Sequence, residues 1–184
     1  MAWSFYLVLA VGGGLWVGLA RRGPIPLSLF VSRHGWWEDL GLGVATGLAL
    51  WGIWQLARRY LPAAQHLEDR LAGLLGPITT SEAIALALLS GFAEELFFRG
   101  AVQAAVGWIP ATLLFAFLHT GPGRPFRLWT TFALVAGFLL GALMLWRGNL
   151  LGPVTAHALV NGINLRGLGR RAARGSAPEP GEPS

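Results

Sequence analysis

Five ionisable side chains stand inside otherwise apolar stretches of this 184-residue chain: Glu94, Glu95, Arg99, His119 and His157. Asn161 adds a sixth polar group. An ionisable residue at the centre of a membrane helix costs about 2.5–3.5 kcal/mol on insertion scales, so such a cluster points to function. At about 100° per residue, Glu95 and Arg99 lie about 40° apart on a helix. The acid comes first, the orientation that favours an i,i+4 ion pair. Glu94 lies about 140° from Arg99 and is left over. An unpaired carboxylate in a low-dielectric setting suits general-base chemistry near neutral pH. His157 and Asn161 are also i,i+4 and share a face. Both can donate hydrogen bonds, so they could form an oxyanion hole. Interhelical hydrogen bonding is the plainer role for such a pair. His119 alone reads as a helix-end residue.

Apolar helices must carry these groups. Residues 1–20 hold no charged side chain and end at Arg21-Arg22; residues 40–57 form a similar run closed by Arg58-Arg59. Each is near the ~20 residues that cross a bilayer core. Residues 58–76 mix charges with Leu67, Leu71, Leu74 and Leu75 and read as an interfacial amphipathic helix. His66, within it, reads as a solvated surface side chain. Thr79 and Glu82 fit a capping box at the start of a third span. That span runs through Phe98 and as far as Val106. Trp108 to His119 is a fourth segment, with Pro110 in its first turn. Gly121-Pro122-Gly123-Arg124-Pro125 breaks the chain. Residues 128–146 and 150–164 make the fifth and sixth spans. The expected fold is therefore an all-α polytopic membrane protein with about six transmembrane helices. Its expected parts are residues 1–77, two spans plus the interfacial helix; residues 78–166, a core of about four helices; and residues 167–184, a disordered polar tail.

Composition agrees. Hydrophobic residues make up 54% and charged residues 12%, with a mean hydropathy of +0.54. Soluble domains carry about 25% charged residues, so an ordinary soluble enzyme is excluded. Without Cys there is no disulfide framework, thiol nucleophile or thiolate metal site. All basic residues are Arg, and the net charge is +5. They sit between apolar runs rather than on one face, which fits lipid headgroups and not nucleic acid.

Glu94-Glu95-x-x-x-Arg99, Phe115-x-x-x-His119 and His157-x-x-x-Asn161 resemble, in order, the three motifs of the CPBP intramembrane proteases. These include the CAAX prenyl endopeptidases and the bacteriocin-processing Abi proteins. The resemblance covers about residues 78–165. It implies an intramembrane endopeptidase acting on a membrane-associated protein or peptide. Glu94 and His119 would activate water, His157 and Asn161 would stabilise the oxyanion, and Glu95 and Arg99 would form a structural ion pair. No cofactor is expected on this reading. A zinc-dependent version would instead use Glu94, His119 and His157 as ligands.

A non-catalytic immunity or scaffold protein is the alternative from another class; a proton-coupled transporter using Glu94 is a third. Convergence of Glu94, His119, His157 and Asn161 on one water-accessible cavity would separate an enzyme from a packing network. The composition suggests a GC-rich bacterium, hence a bacterial inner membrane. With six spans, nine arginines collect on one side (Arg58, Arg59, Arg70, Arg124, Arg127, Arg166, Arg170, Arg171, Arg174) and five on the other. The positive-inside rule puts the first set and both termini in the cytoplasm.

Overall fold

The computed structural model describes residues 2–32 and 35–175. All regular structure among them is helical: α1 (Ala2–Arg21), α2 (Trp36–Tyr60), α3 (Pro62–Leu75), α4 (Thr80–Glu95), α5 (Gln103–Val106), α6 (Trp108–Leu118), α7 (Arg124–Arg147) and α8 (Leu151–Gly175). A π-helical segment, Leu96–Val102, joins α4 to α5. The starts and stops follow local chemistry. Leu61, ahead of Pro62, takes an extended backbone and so parts α2 from α3. Thr79 and Glu82 form the expected capping box: the Thr79 hydroxyl accepts from the Glu82 N–H, and Glu82 accepts from the Thr79 N–H at 2.8 Å.

Three helices are long and apolar enough to cross a membrane: α1, α2 and α7. A fourth is added if α3 and Thr80–Val106, bent by 102°, count as one span. The sequence led us to expect six. Helix α6 has only 11 residues, and α8 spends its length on His157, Asn161, Asn164 and four arginines. Neither is marked as a span by length and hydropathy.

The polar tail expected from residue 167 is also corrected in part. Helix α8 continues to Gly175, because Gly169 and Ala172 are buried and Arg171 reaches α3. Residues 176–184 lie outside the described residues.

Helix α8 is the central rod. Close approach on two sides depends on glycine. A Cβ at Gly43 of α2 would stand 2.6 Å from the Gly152 carbonyl oxygen, and one at Gly91 of α4 would stand 2.9 Å from the Ala158 nitrogen. Polar clasps lock both ends of the bundle. At one end the buried Asp39 carboxylate accepts from the Arg147 Nε and, at 2.9 Å, from the Asn149 amide. At the other end Glu68 of α3 binds Arg58 of α2 and Arg171 of α8, each at 2.9 Å, and accepts from the Trp54 indole. Asp69, with Glu68 beside it, holds the Arg171 guanidinium above its usual range.

The first clasp generates a prediction. Asp39→Ala strands two donors and should lower the thermal midpoint of the purified protein by several degrees. Glu38→Ala, whose carboxylate is largely exposed, should move it little. Equal effects in a detergent melting experiment would contradict a buried clasp centred on Asp39.

Candidate active site

Glu94 and Glu95 close α4, and both are buried, at 6% and 0% exposure. The wide π turn follows immediately. Such turns break the regular ladder and recur at functional sites. Glu95 and Arg99 pair as their spacing predicts, Nη1 to Oε1 at 2.9 Å. Arg99 also donates to the Gly137 carbonyl of α7 at 3.4 Å and stacks over the Phe115 ring, 4.5 Å from its centroid.

Oε1 of Glu95 has a second partner that the sequence did not reveal. His157 Nδ1 lies 2.7 Å away. One carboxylate thus joins α4, the π segment and α8, and it fixes the imidazole plane of His157. A carboxylate can only accept at this contact when ionised, so Nδ1 carries the proton. His119 is held in the same manner: its Nδ1 lies 2.7 Å from the Phe115 carbonyl. A carbonyl can only accept, so this nitrogen too carries the proton. Both rings therefore turn Nε2 away from their anchors.

Both Nε2 atoms point at Glu94. Its Oε2 lies 3.7 Å from His119 Nε2 and 3.9 Å from His157 Nε2. These separations exceed a direct hydrogen bond and suit a bridging water. The same Oε2 is buried with no hydrogen-bond partner. It is the carboxylate that the helical spacing left over.

Asn161 sits one turn beyond His157. Its amide donates to Ser90 Oγ at 3.0 Å, and Ser90 in turn donates to the Ala87 carbonyl at 3.3 Å. An amide has two N–H groups, so one remains for a ligand. Glu94, His119, His157 and Asn161 all line one cavity of about 1220 Å³. Convergence on a shared cavity is the arrangement that a packing network would lack. The sequence reading missed Ser90, and it missed Tyr6 of α1, which lines the cavity. Ser90 lies one turn before Glu94 and could have been found as a lone hydroxyl on the same helix. Nothing near Tyr6 in sequence marks it. His66 is exposed on α3, as expected.

Among the described residues no three His, Asp or Glu side chains are arranged to hold a metal ion. Glu94, His119 and His157 approach one another without forming such a ligand set.

Residues 76–163 match the family described as type II CAAX prenyl endopeptidase Rce1-like. One curated relative, the uncharacterized protein YpbD of Bacillus subtilis strain 168, is 43% identical over 82 residues. That alignment spans 44% of this chain and 42% of the relative, so the chain covers less than half of the relative's length. No solved structure matches the chain. The matched residues contain α4, the π segment, α6, α7 and the first half of α8, and so every polar group of the three motifs. Residues 76–163 are thus similar to the type II CAAX prenyl endopeptidase Rce1-like family, a family of peptidases, in a chain with three helices long and apolar enough to cross a membrane.

Proposed function

We propose that the protein is an intramembrane endopeptidase that hydrolyses a peptide bond of a membrane-associated protein or peptide. The observation that carries this reading is the unpartnered Oε2 of Glu94, buried and flanked by two histidine Nε2 atoms. A water held there loses its proton to Glu94 as its oxygen attacks the scissile carbonyl carbon, with His119 orienting it. The carbonyl π electrons pass to oxygen. His157 Nε2–H and the free Asn161 N–H then stabilise that oxyanion. Because Nδ1 is already committed to Glu95, His157 offers an Nε2–H only as the imidazolium. The Glu95 carboxylate is its counter-ion. Collapse breaks the C–N bond, and the proton on Glu94 passes to the departing amine. Six passes are then formed by α1, α2, Thr80–Val106, α6, α7 and α8. The arginine-rich end, with both termini, faces the cytoplasm of a bacterial inner membrane.

The two adjacent acids should fail differently. Glu94→Gln keeps size and shape, so it should leave the protein folded and abolish cleavage. Glu95→Gln strands Arg99 and His157 together and should cost about 3–5 kcal/mol, as breaking a buried pair does. Membrane abundance and thermal melting check this. If both variants accumulate normally and only Glu95→Gln is inactive, the roles are reversed.

Proteomics identifies the substrate and tests the enzyme reading. A deletion strain complemented with Glu94→Gln should keep the same uncleaved protein or peptide as the deletion alone. Full rescue by Glu94→Gln would favour an immunity or scaffold role. With that substrate in hand, Asn161→Ala should slow turnover about 10²–10³-fold, the usual effect of losing one oxyanion donor. Near-normal Asn161→Ala turnover together with stoichiometric zinc would overturn the metal-free mechanism.

Orientation has its own check. A C-terminal fusion to a reporter active only in the periplasm should stay silent; activity would reverse the assigned topology.

A further inference from the structure

Each histidine of the site is held from behind. Glu95 fixes His157 and the Phe115 carbonyl fixes His119, each at Nδ1. Asn161 has an anchor of the same kind in Ser90, whose Oγ lies 3.0 Å from the amide nitrogen. The hydroxyl proton decides which way the amide faces. Ser90 donates it to the Ala87 carbonyl at 3.3 Å, which can only accept, so Oγ is left as an acceptor and meets the N–H side of Asn161. The contact lies at a close approach of α4 and α8. A Cβ at Gly91 would stand 2.9 Å from the Ala158 nitrogen, and one at Gly162 would stand 3.6 Å from the Ala87 Cβ. These two touches bracket Ser90 and Asn161 along the two helices. Ser90 is 1% exposed, whereas Asn161 is half-buried and lines the cavity with Glu94, His119 and His157. An Asn amide has a broad terminal torsion and needs such a tie to hold one orientation. Ser90 is its hydrogen-bond partner among the described residues.

We propose that Ser90 is a positioning residue of the site: by accepting one N–H of Asn161 it aims the second N–H of that amide into the cavity. This rests on the reading of Asn161 as an oxyanion donor. A preformed donor needs no reorganisation as negative charge develops on the carbonyl oxygen, and that is where its advantage lies. An untied amide would have to be recruited from several orientations, one of which turns its own oxygen toward the oxyanion. Ser90 excludes the flipped form, because with its proton on Ala87 it would face the amide oxygen lone pair to lone pair. The role also accounts for a hydroxyl at a fully buried position of α4. Packing alone would accept Ala there, as it does at the buried Ala83, Ala87 and Ala93 of the same helix.

The test is Ser90→Ala, which removes the hydroxyl and keeps a good helix former. The chain holds three asparagines, Asn149, Asn161 and Asn164. Full-length protein with isotopically labelled asparagine, in detergent micelles, therefore gives three side-chain amide pairs by NMR. The Asn161 pair is the one missing from Asn161→Ala, so no substrate is needed to follow it. In Ser90→Ala one proton of that pair should move upfield and exchange faster with water, while the Asn149 pair, clasped to Asp39, stays in place. Kinetics use the substrate found by proteomics. Turnover should fall about tenfold in kcat with KM unchanged, the scale of one neutral hydrogen bond felt in the transition state. Added to Asn161→Ala, the Ser90→Ala change should cost nothing more, since no amide is left to position. Ser81→Ala, which removes an exposed hydroxyl from the same helix, should move neither the Asn161 pair nor the rate. An unmoved Asn161 pair in Ser90→Ala would overturn the proposal, as would normal turnover or a loss that adds in full to that of Asn161→Ala. Normal turnover by Asn161→Ala itself would bring down the oxyanion reading, and the positioning role with it.

Discussion

A charge carried into the apolar interior has to bring its partner with it, and Glu95 is where this chain meets that demand. A single oxygen, Oε1, receives Arg99 from the next turn and His157 from the last helix. All three side chains are almost wholly shielded from solvent. A guanidinium and an imidazole N–H on one carboxylate leave none of the three polar groups buried without a partner, the arrangement whose loss is costly. The same contact does mechanical work. It pins α8 to α4, sets the ring of His157, and leaves the neighbouring Glu94 as the carboxylate that needs no structural partner. Adjacent positions on one helix thus carry opposite assignments, because a step of about 100° turns one toward Arg99 and the other into the cavity.

The remaining architecture serves this arrangement. Gly43 and Gly91 allow α2 and α4 to approach α8 closely enough for its backbone to fill the space a side chain would take. Without that approach His157 would not reach Glu95. The clasps at Asp39 and Glu68 tie α8 at both ends, so its register against α2, α3 and α7 is fixed at two points. Phe115 links the parts laterally: its carbonyl orients His119 while its ring lies under Arg99. Site rigidity therefore comes from long-range ties and not from any one helix.

Much of this was legible in the chain, for identifiable reasons. The Glu95–Arg99 pair and the Thr79–Glu82 box lie within one or two turns, where helical spacing alone decides contact. The expected cluster of Glu94, His119, His157 and Asn161 does line one cavity, because buried polar groups in apolar helices have few other places to go. The contacts Glu95–His157 and Asn161–Ser90 each join distant segments, and only helix packing creates them. The π segment was invisible because its residues, Leu96–Val102, read as ordinary helix. The end of α8 was misjudged for the opposite reason. Its Arg and Gly content looked like a tail, yet Ala172 and Gly169 pack inward while Arg171 is held by Glu68 and Asp69. Hydropathy also falls where a helix carries the functional groups, as in α8.

The central claim is that Glu94 and His119 act on water, with the oxyanion held by His157 and Asn161. It is tested most directly by an experimental structure of the Glu94→Gln protein bound to its uncleaved peptide substrate, with anomalous scattering recorded at the zinc edge. The account predicts the scissile carbonyl carbon beside residue 94, its oxygen within hydrogen-bond reach of His157 Nε2 and the Asn161 amide, and no anomalous peak between His119 and His157. A metal ion bridging those two rings, or a peptide whose scissile bond lies away from residue 94, would contradict it.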